Sequence, residues 1–157
     1  MPAPVQNADG SWTIHMRSQS DWNGQDFQTK ADHLQQLGKD GKLEMTVGEK
    51  VSRSSHHTRD WRTNAEEEIL NTSADQAEVN RRIATLDSQQ IDHLHELQLG
   101  GKDGASNLWA LDAATNHGMG GQINGQLQQI QTIAKNDPNF KDGDKIPIKI
   151  EILPPKP

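Results

Sequence analysis

The run from Ile91 to Gln122 combines residue types that together could activate water: IDHLHELQLGGKDGASNLWALDAATNHGMGGQ. It contains the adjacent pair Asp92 and His93, then Asn107 in a Gly-rich loop, then Asn116. A carboxylate oxygen suits a hard cation such as Mg²⁺ or Mn²⁺, and a neutral imidazole is a general base near neutral pH. An acid, a histidine and two amides at this spacing therefore indicate a one-metal site for phosphodiester hydrolysis.

The chemistry divides among these residues. We expect Asp92 to hold the metal ion and His93 to take a proton from the attacking water. Asn107 has both a donor and an acceptor, which suits it to hold the loop backbone together and to orient His93. Asn116 can offer its amide oxygen to the same cation, and the adjacent His117 is a further candidate for metal or substrate.

A strand, a loop, a second strand and a helix must position these side chains. If Asp92 and His93 lie where the first strand ends, both can face a common site. The apolar spacing and the turn residues predict the following order: a strand at Gln90–Leu97, a turn at Gly100–Gly101, a strand at 108–111, and a helix from Asp112 or Ala113 to Ala134 with an interruption at 117–121.

Outside this run the sequence predicts an irregular or briefly extended segment over 1–24. Further elements are expected from local patterns: a helix over 26–37 with Gly38 as its stop, a brief strand at 43–47, a helix at Ala74–Asp87 capped by Ser73 with Gln76 three residues on, and a C-terminal strand of alternating isoleucines that Pro147 places at an edge. The fold class that follows is α+β, with one functional domain over 25–157.

Composition bounds the remaining possibilities. At 157 residues the chain is one domain-sized unit. It has no cysteine, so the fold needs no disulfide and no thiolate zinc site. No apolar run approaches the length of a membrane span, and the first residues lack the basic and apolar regions of a signal peptide. We therefore expect no membrane partner, and export, if it occurs, by another route.

The formal net charge of −6 argues against broad affinity for nucleic acid, which rests on many Lys and Arg contacts to phosphates. The segment Val51–Arg62 departs from this balance, because Asp60 is its only acidic residue. Local field decides where a phosphate docks, so Arg53, His57 and Arg59 are candidate phosphate-binding residues. The alternative is a solvated basic loop.

The run 91–122 resembles the ββα-metal finger of the HNH (His-Me finger) endonucleases. The residues that carry the resemblance are Asp92-His93, Gly100-Gly101, Asn107-Leu108 and Asn116. More narrowly, DHLHELQLGGKDGASNLWALDAATN is similar to the HNH-type nuclease domains of bacterial polymorphic toxins and contractile-injection effectors. The match covers about 32 residues and places the finger at about 90–135.

This resemblance implies a residue-by-residue assignment: Asp92 and Asn116 as metal ligands, His93 as general base and Asn107 as the orienting residue. It implies an endonuclease that cleaves DNA without strong sequence specificity, with RNA as a further substrate. One divalent ion would be its cofactor, Mg²⁺ or Mn²⁺ before Zn²⁺ or Ni²⁺. A toxin of this kind is secreted or injected into a target cell, acts in its cytoplasm, and needs an immunity protein in the producing cell.

The sequence also departs from the HNH pattern. Many HNH enzymes carry Cys pairs that bind a structural zinc, and the corresponding places here are Asp112 and Thr115. A Pro often found after the catalytic His is replaced by His95-Glu96. Three alternatives follow: an inactive nucleic-acid-binding or interaction module, a repair or phage-type HNH nuclease, and a metal hydrolase using His93, His95 and Glu96. The last is disfavoured because a zinc peptidase helix spaces its histidines at i and i+4.

Overall fold

Helices and two separate β-sheets make up the described part of the chain, residues 1–49 and 55–156 of a computed structural model. The fold is mixed α+β, which confirms the predicted class. No helix in this part of the chain is long and apolar enough to cross a bilayer. The elements in chain order are β1 (Val5–Gln6), β2 (Trp12–Met16), α1 (Gly24–Lys39), β3 (Glu44–Thr46), α2 (Ser55–Thr72), α3 (Gln76–Asp87), β4 (Gln89–His93), β5 (Leu108–Asp112), α4 (Ala113–Lys135) and β6 (Lys145–Ile152).

The larger sheet has four strands in the order β1–β2–β6–β3. Strands β2 and β6 pair in parallel, starting with Trp12 beside Ile148. Ile14 and Met16 are fully buried, so β2 lies in the core. The prediction for 1–24 allowed a briefly extended segment, which β2 is, but it did not include the burial of β2 in the core. Its partner strand lies near the other end of the chain, and five residues between turn-forming segments carry little local sign of such pairing.

Strand β6 alternates buried isoleucines with exposed residues, as predicted. It is not an edge strand, however, since it lies between β2 and β3. The Ile148 N–H donates to the Leu43 carbonyl on the β3 side, so the nitrogen of Pro147, one residue earlier, points to the other side. Pairing with β2 begins only at Ile148, and Pro147 therefore removes no ladder hydrogen bond.

Helix α4 runs without a break through HGMGG, where the sequence predicts an interruption. Met119 and Ile123 lie one turn apart and are both buried in the core, which fixes the helix on either side of Gly120 and Gly121. Gly118 allows close packing, because a Cβ there would lie 2.0 Å from Cζ2 of Trp22. This burial outweighs the cost of glycine in a helix, about 1 kcal/mol per residue.

Helix α1 extends to Lys39, so Gly38 is not its stop. Gly38 instead lets the helix approach β6, since a Cβ there would lie 3.3 Å from the Ile148 carbonyl oxygen. The chain turns at Gly41, whose φ of +72° favours glycine. The brief strand predicted at 43–47 is confirmed as β3.

Helix α3 begins at Gln76, and its cap is Asp75 rather than Ser73. The Asp75 carboxylate accepts a hydrogen bond from the Glu78 backbone N–H at 2.9 Å. The Ser73 hydroxyl donates instead to the Ile69 carbonyl near the end of α2. A carboxylate adjacent to the first helical residue satisfies a free N–H and complements the helix dipole, so it takes the capping position.

Strands β4 and β5 form a separate antiparallel pair in which Asp92 lies beside Trp109 and His93 beside Leu108. The β5 strand confirms the expectation at 108–111, but β4 ends at His93 and not at Leu97. The strand ends there because Leu97 is buried within a short 3-10 turn. It does not continue the strand's alternation of side chains between two faces. Strand β5 leads directly into α4.

A helix cap holds the junction between β5 and α4. The Asp112 carboxylate accepts hydrogen bonds from the Thr115 backbone N–H at 3.0 Å and from its hydroxyl at 2.7 Å. Asp26 of α1 accepts from the Asp112 N–H at 2.7 Å. The hydrogen bonds from the Thr115 hydroxyl and N–H hold the pKa of Asp112 below its ordinary value. Asp112 and Thr115 thus stabilise this turn without a metal-binding thiolate.

Candidate active site

Asp92 and His93 are the last two residues of β4, and their side chains are buried, with exposed fractions of 5% and 2%. Neighbouring residues of a strand point to opposite faces of the sheet, so the Asp92 and His93 side chains lie on different faces. Asp92 lies in the wall of a cleft of about 350 Å³, called here the acidic cleft, with Gln90, Glu96, Asn116 and His117. His93 is not among the described residues of that wall. A substrate that reaches both side chains must lie across the end of β4.

The His93 ring is oriented by a carboxylate. Its Nε2 lies 3.0 Å from Oδ1 of Asp103, in the Gly-rich loop. Its Nδ1 is buried and has no hydrogen-bond partner among the described residues. Because a carboxylate accepts the Nε2 proton, we assign the tautomer in which Nδ1 carries the free lone pair. That nitrogen has the electronic form of a general base.

Asn107 holds the loop between β4 and β5 together, as its donor and acceptor predict. Its Oδ1 accepts from the His95 backbone N–H, and its Nδ2 donates to the carbonyls of His95 and Lys102, each at 2.9 Å. The Leu94 N–H also donates to the Asn107 carbonyl at 2.9 Å. No described hydrogen bond joins Asn107 to the His93 ring, so Asn107 acts on His93 only through the backbone of the loop.

Asn116 lies in the first turns of α4 and faces the acidic cleft. Its Nδ2 donates to Gln90 Oε1 at 2.7 Å, which fixes the amide plane, and no described hydrogen bond reaches its Oδ1. The exposed His117 lies in the same wall. The structure therefore brings Asp92, Asn116 and His117 to one cleft.

Lys30 of α1 reaches this site through the core. Its ammonium forms ion pairs with Asp92 Oδ2 and Glu96 Oε1, and its side chain is only 1% exposed. Burial alone would lower the pKa of this ammonium, but the charges of Glu96 and Asp92 outweigh burial and raise the pKa of Lys30 above its ordinary value. Lys30 is therefore charged and holds both carboxylates.

Among the described residues of the basic segment, Arg59 is an exposed arginine beside the site. Arg59 of α2 lies in a second cleft, of about 490 Å³, whose wall also includes Asp92 and Asn116. Arg62 lines the same cleft, but its guanidinium donates to the carbonyls of Leu86 in α3 and of Gln89, the first residue of β4.

The structure does not place the other two candidate phosphate-binding residues, His57 and Arg53, in the wall of the second cleft. His57 is half-buried in α2, with its ring centroid 3.9 Å from that of His56, and it is not among the described residues of the second cleft. Arg53 lies outside the described residues. Arg59 is therefore the candidate whose position beside Asp92 the structure gives.

The donor set decides which metal the site could hold. Within the described ranges, no group of three or more His, Asp or Glu side chains is arranged around a metal position. The His95 ring is bound to the Leu99 carbonyl at 2.6 Å, and Glu96 is paired with Lys30, so these residues do not form a hydrolase site with His93. A carboxylate and an amide oxygen beside a cleft fit a hard ion such as Mg²⁺, which keeps several waters and uses substrate phosphates as ligands.

Comparison with protein-family models, with curated proteins and with solved structures finds no match to this chain. Any function proposed for it therefore rests on the chemistry and geometry of its own residues and on the resemblance of the run 91–122.

Sequence reasoning missed Lys30 and Asp103 as residues of this site. A signal for Lys30 was present: it lies on the same helical stripe as Phe27, Ala31 and Leu34, where a charge is buried and needs a partner. Asp103 carries no such signal, because a polar residue in a Gly-rich loop is ordinarily a turn residue.

Proposed function

We propose that this chain is a divalent-metal-dependent endonuclease that hydrolyses DNA phosphodiester bonds at the end of β4. One observation carries the proposal. The β4–β5–α4 unit brings the Asp92 carboxylate and the Asn116 amide to one cleft, while the His93 ring beside it keeps a free Nδ1 and is held by Asp103. The arrangement corresponds to the strand, strand and helix order of the ββα-metal finger that the run 91–122 resembles.

The chain's own residues divide the reaction as follows. A scissile phosphate lies across the end of β4, between Asp92 on one face and His93 on the other. His93 Nδ1 takes a proton from water, the water oxygen bonds to phosphorus, and the bond to the 3′-oxygen breaks. Asp92 and Asn116 would hold a divalent ion, which when bound would stabilise charge on the phosphate and the leaving oxygen. Asp103 keeps the His93 ring in the required tautomer.

The second cleft indicates how the substrate backbone is held. Arg59 lies beside Asp92 and Asn116, where its guanidinium can contact a phosphate next to the scissile one. With a net charge of −6 the protein has few such contacts to offer, so binding depends on this local patch. The same charge favours the second candidate function in its form as an interaction module without catalysis.

A cleavage panel tests the proposal. The purified chain is incubated with plasmid, single-stranded DNA and RNA, in Mg²⁺, Mn²⁺, Zn²⁺, Ni²⁺ or chelator. We expect plasmid nicking in Mg²⁺ or Mn²⁺ and none in chelator, because Asp92 and Asn116 hold the ion by oxygen atoms alone. Inactivity with every metal and substrate would reject the nuclease proposal and favour the module without catalysis.

The toxin context is a separate proposal that rests on the resemblance. Expression of the chain inside a bacterial cell would arrest growth, and a neighbouring gene product acting as immunity protein would restore it. Normal growth in cells that contain the active nuclease would favour a repair or phage-type enzyme instead.

A further inference from the structure

Lys30 is a buried charge that no step of the proposed reaction uses. It lies on the apolar stripe of α1 and is 1% exposed, yet it carries an ammonium into the core. Burying an ion costs several kcal/mol unless partners compensate it. Here the partners are Asp92 and Glu96, which are each 5% exposed and belong to the wall of the acidic cleft.

The ammonium bridges the two carboxylates from behind the cleft. It contacts Oδ2 of Asp92 and Oε1 of Glu96, so each carboxylate keeps a second oxygen outside the pair. Lys30 itself is not among the described residues of the cleft wall. It is therefore placed to orient the carboxylates and not to touch a substrate.

The charges of Lys30, Asp92 and Glu96 affect how strongly the cleft can bind a metal ion. Two carboxylates and one ammonium leave a single net negative charge, where Asp92 and Glu96 alone would present two. A divalent ion bound at Asp92 is repelled by the ammonium at a range of a few ångströms, where the energy between unit charges in a protein is large.

We propose that Lys30 compensates the charge of Asp92 and Glu96 from behind the cleft wall and thereby keeps the free protein's affinity for a divalent ion low. This inference rests on the metal site of the proposed function.

Mn²⁺ binding to the full chain in the absence of nucleic acid tests the proposal, with free Mn²⁺ measured by electron paramagnetic resonance. Lys30→Met keeps the length of the side chain and removes its charge. We expect this variant to bind Mn²⁺ roughly tenfold more tightly or better, and its thermal midpoint to rise more with Mn²⁺ than that of the wild type. Lys39→Met, which removes an exposed lysine of the same helix, should leave Mn²⁺ binding unchanged. A folded Lys30→Met protein with equal or weaker Mn²⁺ affinity would overturn the proposal.

A second pair of variants keeps the test decisive if Lys30→Met does not fold, since it leaves two buried carboxylates unpaired. Glu96→Gln removes one carboxylate charge, and adding Lys30→Met to it removes the ammonium as well. We expect the double variant to bind Mn²⁺ more tightly than Glu96→Gln alone. Equal or weaker binding by the double variant would again reject the role of Lys30.

Failure here and failure of the nuclease proposal are distinguishable. Nucleic-acid cleavage by the wild type tests the nuclease, whereas the Mn²⁺ comparison uses no nucleic acid. If the wild type cuts DNA and removal of Lys30 does not tighten Mn²⁺ binding, only the role of Lys30 is lost. If Lys30→Met tightens Mn²⁺ binding in a protein that cuts nothing, only the nuclease is lost.

Discussion

At the scale of single residues, the chemistry of the site depends on how two buried side chains are held. Asp92 is fixed by Lys30 from the core side, and His93 is fixed by Asp103 from the loop side. Neither holding residue belongs to the motif by which the run 91–122 resembles a known finger. The motif thus indicates which residues react, while their orientation comes from contacts that only the folded chain provides.

The role of Asp103 can be separated from a purely structural one. Asp103→Ala removes the acceptor of the His93 Nε2 proton, so we expect cleavage to fall roughly 10- to 100-fold. Asp103→Asn keeps an amide oxygen in that place and should retain more activity. Nitrogen-15 NMR of the imidazole should show the proton on Nε2 in the wild type and in Asp103→Asn, with a shift toward Nδ1 in Asp103→Ala. Wild-type cleavage and an unchanged tautomer in Asp103→Ala would contradict this role.

At the scale of elements, helix α4 connects the two sheets. Its first turns carry Asn116 to the small sheet, while glutamines further along bind the backbone of His15 in β2 and of Arg17 just after it. The Gln126 side chain accepts from the His15 N–H and donates to the His15 carbonyl, both at 2.7 Å. Gln122 makes the same pair of contacts with Arg17, at 3.1 and 2.8 Å. The helix therefore acts as a strand partner, and the position of Asn116 depends on its continuity.

The glycines of α4 provide a test of that continuity. Gly118→Ala places a Cβ 2.0 Å from Cζ2 of Trp22, so we expect this variant to lose about 1–3 kcal/mol of unfolding free energy by overpacking. Gly125→Ala is the matched control, since a Cβ there meets nothing within 4 Å, and it should gain up to about 1 kcal/mol from helix propensity. Urea unfolding measures both. Equal stabilisation by the two substitutions would show that Trp22 does not pack closely on Gly118.

What the sequence could predict at this scale was local. Strand β5, strand β3 and the alternation of β6 follow from the spacing of apolar residues alone, and all three are present. The errors concern burial and distant pairing. Strand β2 pairs with the opposite end of the chain, the HGMGG stretch stays helical because Met119 is buried, and Pro147 is accommodated inside a sheet by the register of its neighbours. None of these contacts is encoded by nearby residues.

The residues of the candidate site also fall into two groups, those with a local sequence signal and those placed by distant packing. Asp92, His93, Asn107 and Asn116 could be named as candidates because their spacing in one local run carries the pattern, and their roles stay a prediction. Lys30 was not predicted, because α1 reaches the site through tertiary packing far from that run. A polar residue on an apolar helical stripe was the available sign of this contact.

At the scale of the whole molecule, the net charge disfavours nucleic-acid binding, whereas the local charges beside the candidate site allow it. The net charge of −6 disfavours general attraction to nucleic acid. Behind the wall of the acidic cleft, however, Lys30 compensates one of two buried carboxylates, and Arg59 lies in the adjoining cleft. A phosphodiester therefore meets a locally moderate field at the end of β4, in a protein that is acidic elsewhere.

The most direct measurement is the rate of plasmid nicking in Mg²⁺ by the wild type and by His93→Ala. His33→Ala, which removes an exposed histidine of α1, is prepared in parallel and controls for the effect of a His→Ala substitution as such. The account predicts nicking by the wild type and by His33→Ala, and a loss of roughly 100-fold or more in His93→Ala, because the general base is gone. Nicking by His93→Ala at the wild-type rate would contradict it.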